Sequence, residues 1–147
     1  MKSKLFLVGL ALLFAVIAIG CNGGGTTQIA SDELQIKYKI QQLCEAMSAK
    51  NWILAKSYCY PTSSAYAKIE EIENTMLSLP AGTTISVSTI IKSIEIVEND
   101  AMLVTRYDTE ICYQGNYSTD MGNPGITELV KIGIDWYIIS LSEIWGH

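Results

Sequence analysis

At Thr83 the spacing of apolar residues changes from the 3.6-residue period of a helix to the two-residue period of a strand, and it does not change back. Helices first and strands second is the order this dictates. Upstream, Ile36, Ile40, Leu43, Cys44 and Met47 share one helical face, and Ser31-Asp32-Glu33 supplies the capping oxygen and negative charge that suit a first turn. A break at Lys50-Asn51 precedes a short helix through Trp52, Ile53, Ala55, Tyr58 and Cys59. It ends at Tyr60-Pro61, because a residue before proline is pushed out of the α region. Thr62-Ser63-Ser64 offers caps for a third helix, Ala65 to Leu79, with Glu70, Glu71 and Glu73 on its solvent side, and Pro80-Ala81-Gly82 stops it.

Downstream, Ile85, Val87 and Thr89 occupy odd positions, as does Ile91, whereas Ile94 and Ile96 occupy even ones. That slip of phase predicts a bulge near Ile90–Ser93 and a curved strand. Glu98-Asn99-Asp100 reads as a tight turn into a second strand, Ala101 to Gln114. Gly115 to Gly125, rich in glycine, proline, asparagine and aspartate, reads as a long exposed loop. Ile126 to Ile132, a turn at Gly133-Ile134-Asp135, and Trp136 to Ile144 complete a second hairpin. The expected fold is α+β, with three helices on one face of a curved antiparallel sheet of about four strands.

The amino-terminal segment has a different character. Lys2 and Lys4 precede an apolar run from Leu5 to Ile19, about 15 residues or ~23 Å of helix, shorter than the ~30 Å hydrocarbon layer. A basic start, a short apolar run and small residues at its close are the marks of a signal peptide. Ala18-Ile19-Gly20-Cys21 resembles a prokaryotic lipobox, in which the cysteine is lipidated and becomes the first residue of the mature chain; leucine is usual where Ala18 stands. Asn22 to Thr27 has nothing apolar to bury and three glycines, as a flexible tether would. The expected organisation is a signal peptide over 1–20, the lipidated Cys21 and tether over 21–31, and one α+β domain over 32–147. The domain would be exported and held at a membrane by its acyl chains.

Charge narrows the partners. With Lys2 and Lys4 set aside, eight basic residues face 15 acidic ones, and Arg106 is the sole arginine, so no clustered positive charge exists for a nucleic acid. His147 is the only histidine, and Cys44, Cys59 and Cys112 lack close ligand spacing. No metal site, histidine-activated nucleophile or phosphate-binding glycine loop is therefore expected, and no cofactor is implied.

The long first helix, Asn51-Trp52, the short helix ending Tyr58-Cys59-Tyr60-Pro61, and the late Gly133-Ile134-Asp135-Trp136-Tyr137-Ile138 together resemble the nuclear-transport-factor-two-like superfamily over residues 32–147. That is the cone-shaped fold of ketosteroid-isomerase-like and polyketide-cyclase-like proteins and of many small lipoproteins. The resemblance implies the fold; its signatures are structural rather than catalytic, and it assigns no catalytic residue here.

Period-two geometry puts Arg106, Asp108, Glu110, Cys112 and Gln114 on one face of the second strand and Leu103, Thr105, Tyr107, Ile111 and Tyr113 on the other. If the polar face lined an interior, Asp108 or Glu110 could act as a general base, as in a small isomerase or cyclase. A sheet covered on one side instead requires a solvated outer face, with Arg106 paired to a carboxylate, and this is the reading we favour. Beyond the apolar run there is no phenylalanine, and the aromatic residues are tyrosines and tryptophans, whose polar tips suit rims and interfaces. Tyr38, Tyr58, Tyr107, Tyr113 and Trp136 are candidates to line a pocket for an apolar ligand, with core packing as the plainer alternative. The function expected is a non-catalytic ligand-binding or protein-interaction module; a structural subunit of a cell-envelope complex is a further possibility. Finally, an antiparallel turn centred near Lys50-Asn51 sets Cys44 opposite residue 58, one position from Cys59. A Cys44–Cys59 disulfide with Cys112 free is expected, the alternatives being Cys59–Cys112 or three buried thiols.

Overall fold

Residues 24–144 are described by a computed structural model of the chain. The chain divides into two compact units, Met1–Asp32 and Glu33–His147. The described part of the first is helical, with Gln28 Nε2 donating to Asp32 Oδ1 at 3.4 Å. Signal peptide, lipobox and Cys21 lie outside the described residues, as does His147.

Helix α1 is Gly24–Ser48, so residues 24–31, expected as tether, are helical and Ser31 is not the helix start. A cap is a local preference, and it does not stop a helix from continuing through it. The apolar stripe behaves as its spacing dictates: Ile36, Ile40, Leu43, Cys44 and Met47 are all buried. The helix ends in paired bonds from Lys50 N to Met47 O and from Asn51 N to Ala46 O, with Lys50 in the left-handed region at φ 55°, the geometry of a Schellman cap.

Helix α2, Trp52–Ser57, is opened by Asn51, whose side chain accepts from Leu54 N, and buries Trp52 and Ala55. Helix α3, Ser64–Ser78, is capped by Ser63, which accepts from Tyr66 N at 3.1 Å, and buries Ala65, Ile69, Ile72 and Met76. Lys56 and Glu73, paired at 2.7 Å, tie the two helices together.

The helices pack on an antiparallel sheet of five strands, one more than expected: β1 Thr84–Val97, β2 Asp100–Tyr113, β3 Asn116–Met121, β4 Gly125–Ile132 and β5 Asp135–Ser140. The order is β1-β2-β4-β5, with β3 pairing β2 beyond the end of β4. The predicted bulge is present, the register shifting between Ile91 and Ser93. The additional strand corrects the reading of residues 115–125 as loop. Gln114 (φ 50°) and Gly115 (φ 79°) form a two-residue connection with both residues left-handed, the turn that matches strand twist, and it folds Asn116–Met121 back onto β2. β5 stops at Ser140, and Ser142 and Ile144 turn onto the inner face of the sheet.

Both outer strands have partners along their edges. Ser48 Oγ accepts from Val87 N at 2.8 Å and donates to Cys44 O, closing part of the β1 edge with the end of α1. Beside β5, Ile138 N donates to Tyr58 O and Tyr60 N to Ile138 O, so residues 58–60 run along it as a short parallel bridge.

Candidate functional site

Among the described residues, the interior of the domain is packed with side chains. Along β2, Ala101, Leu103, Thr105, Tyr107 and Thr109 face inwards, where they meet Leu129, Trp136, Ile138 and Ile144 together with the helical stripes. Four hydroxyl residues form a network there. Thr105 Oγ1 lies 2.8 Å from Thr127 Oγ1 and 2.7 Å from Ser142 Oγ, and Tyr107 OH lies 3.5 Å from Thr127 Oγ1. The groups satisfy one another, as a buried polar network must. Burial is the main cause that raises the Tyr107 hydroxyl above its ordinary pKa, and it pushes the Cys44 and Cys59 thiols up to about 12. Neutral hydroxyls and thiols held in this way neither take nor give a proton near pH 7.

Among the described residues the three thiols, Cys44, Cys59 and Cys112, are free, so the expected Cys44–Cys59 bridge is absent. Helix α2 ends at Ser57 and does not continue through Cys59, so Cys59 is not carried opposite Cys44 by an antiparallel helix pair. Cys59 belongs to the segment beside β5, and its thiol turns back towards the preceding helix α2, 3.8 Å from Ala55 O.

The tyrosine and tryptophan candidates do not meet in one pocket. Tyr107 and Trp136 are 0% and 1% exposed and belong to the core. Tyr38 is an exposed residue on a cleft of about 390 Å³, shared with Gln35, Lys39, Gln42 and Ile134, that reaches one side of Trp136. Lys39 Nζ sits 5.3 Å from the Tyr58 ring and 6.0 Å from the Tyr137 ring, so Tyr58 packs against a cation rather than lining a cavity with Tyr107. Tyr113 is half-buried at the far end of β2.

The carboxylate candidates lie on the opposite face of the sheet. Arg106 Nη2 holds Asp108 Oδ2 at 2.9 Å, and Glu110 is exposed. Arg106 Nε and Asp108 Oδ1 have no hydrogen-bond partner. Around them the register assembles a surface that the sequence reading did not single out. Glu95 stands opposite Met102 and Met102 opposite Glu128; Val97 stands opposite Asp100, and Val104 opposite Ile126. Val97, Met102 and Ile126 are 61%, 48% and 45% exposed. Glu95, Val97, Asp100, Met102, Glu128 and Ile139 line a cleft of about 270 Å³ on this surface. The signal was present in the strands: apolar residues alternate onto both faces of β2 and β4, where a sheet wetted on one side needs polar ones. At the β3 end, Cys112 stands opposite the exposed Tyr117, whose pKa is raised chiefly by a hydrogen bond with that thiol.

Among the described residues no group of three or more His, Cys, Asp or Glu is placed to hold a metal, and no helix is long and apolar enough to cross a membrane. No protein-family model matches the chain, and no curated protein is similar to it in sequence. Solved structures are similar in fold. The crystal structure of a conserved protein from Planctomyces limnophilus DSM 3776 aligns with a TM-score of 0.57 at 16% identity, covering 75% of this chain and 92% of that one. A protein of unknown function from Mycobacterium tuberculosis aligns with a TM-score of 0.61 at 11% identity, covering 82% and 74%. At such identities the likeness concerns the arrangement of helices and strands alone.

Proposed function

We propose that the chain is an exported lipoprotein, anchored at a membrane through Cys21, whose domain is a non-catalytic binding or interaction module of the cone-like nuclear-transport-factor-two type. The anchor rests on Ala18-Ile19-Gly20-Cys21 and the apolar run before it. The observation that carries the module reading is the filled interior. Where an isomerase or cyclase holds its substrate against a general base, this domain holds Tyr107, Trp136 and a closed hydroxyl network, and Asp108 and Glu110 lie on the other side of the sheet. A base must reach the proton it abstracts, and neither carboxylate faces an enclosed site.

Metabolic labelling with a palmitate analogue tests the anchor: the wild type is labelled and sediments with membranes, and Cys21→Ala is neither. A labelled Cys21→Ala chain would refute it. For the domain, titration with steroid-sized and aromatic ligands followed by NMR should leave the Tyr107 and Trp136 signals unmoved. Ligand-induced shifts at both would reverse the choice in favour of an enzyme with an interior that opens.

A further inference from the structure

The outer face of the sheet is a feature that the core does not explain. A wetted sheet face carries polar side chains, yet Val97, Met102, Val104 and Ile126 form a continuous apolar band across β1, β2 and β4, three of them prominently exposed. Carboxylates flank the band: Glu95 and Glu128 on either side of Met102, Asp100 beside Val97, and Asp108 and Glu110 further along β2. Against these five stand Arg106, which is spent on Asp108, and Lys92, exposed at the bulge of β1 beside Ser93, so negative charge stays in excess. Glu128 accepts from Ser140, whereas Glu95, Asp100 and Glu110 have no ion-pair partner among the described residues.

We infer that this face docks a cationic amphipathic segment of a partner protein, whose apolar side chains cover Val97, Met102 and Ile126 while its lysines or arginines meet Glu95, Asp100 and Glu128. The inference rests on the module reading and adds the chemistry of the partner. Charge selects the occupant. A second copy would set carboxylates against carboxylates, which costs several kcal/mol in an interface; an anionic lipid surface or a nucleic acid is repelled for the same reason. A small apolar ligand would cover part of the band and leave the carboxylates unmatched. A basic segment with apolar residues between its charges satisfies both halves of the surface, and unlike charges also speed its approach.

The test uses the full chain and two short synthetic peptides, one alternating lysine with valine and one alternating glutamate with valine. The lysine peptide should bind, the glutamate peptide should not, and binding should weaken with salt as the Debye length shrinks from ~10 Å at 0.1 M to ~3 Å at 1 M. Hydrogen-exchange protection should appear on β1, β2 and β4. Glu95→Lys with Glu128→Lys, and separately Val97→Ser with Met102→Ser, should each weaken binding about tenfold or more. All four positions lie on the outer face, so the thermal midpoint should remain near that of the wild type and separates lost binding from lost folding. Equal binding of both peptides, unchanged affinity in the charge-reversed variant, or protection elsewhere would overturn the inference. So would self-association of the wild type that Val97→Ser with Met102→Ser abolishes, because it assigns the face to a second copy. A peptide that fails to bind while the interior signals stay unmoved by ligands overturns this inference and leaves the module reading in place.

Discussion

Single residues decide several turns and close approaches here. Gln114 adopts φ 50° ahead of Gly115 at 79°, in a turn type for which asparagine is the preferred first residue because its short polar side chain tolerates the left-handed region. Gln114→Asn should raise stability by about 0.5 kcal/mol, read as a higher urea midpoint with an unchanged slope. Gly122 is constrained by space. A Cβ there would lie 2.5 Å from Tyr107 O, the same carbonyl that accepts from Gly122 N at 3.0 Å. Because the obstacle is backbone in the central strand, it cannot swing aside. Gly122→Ala should cost about 1–3 kcal/mol, measured by equilibrium unfolding.

At the scale of elements, the long helix and the longest edge strand depend on one another. The β1 edge presents backbone groups that would otherwise template association, and Ser48 at the end of α1 occupies the place a neighbouring strand would take at Val87. Ser48→Ala leaves Val87 N–H without that partner. A loss of about 1 kcal/mol is expected, together with faster amide exchange at Val87 than at the central strand β2. The helical stripes, the Ser63 cap and the bulge near Ile91 were legible because each is written in consecutive residues: a period, a cap, a slip of phase. β3 was not legible, because Asn116–Met121 has no alternating apolar side chains; its strand character comes from the turn before it and from pairing with β2. The course of Cys59 was missed for a related reason: residues 58–60 follow the open edge of β5, a strand nearly eighty residues later in sequence.

For the whole molecule, burial of ionisable groups makes stability depend on pH on the alkaline side. Burial pushes the Cys44 and Cys59 thiols up from an ordinary value near 9.0 to about 12 in the folded chain. Above pH 9 the unfolded chain therefore binds fewer protons than the folded one. The stabilisation is complete below that value and is lost as pH rises towards 12, by up to about 1.4 kcal/mol per pH unit for each thiol. Tyr107, whose hydroxyl is also raised by burial, acts in the same direction, and so does Lys56 through its bond to Glu73. Urea midpoints should fall between about pH 9 and pH 11, and more gently in a Cys44→Ala, Cys59→Ala variant; a flat profile in the wild type would contradict the burial of these groups.

The sequence alone determined the class of the fold and the order of helices before strands, though not β3, because hydrophobic periodicity, caps and breakers act over a few residues and every copy of the chain carries them. It also grouped the side chains of α1, α3 and β2 by face, since a side chain's face follows from its position in the period, while which face of β2 is buried stayed open between two readings. Only the tertiary structure decided what those faces meet. Thr105, Thr127 and Ser142 are ordinary hydroxyl residues until the fold brings Thr127 to 2.8 Å and Ser142 to 2.7 Å from Thr105, and Val97, Met102 and Ile126 are scattered apolar positions until the register aligns them with Glu95, Asp100 and Glu128. Cross-strand pairing joins residues that no local pattern relates, so both the closed interior and the outer surface are properties of the folded chain rather than of any segment of it.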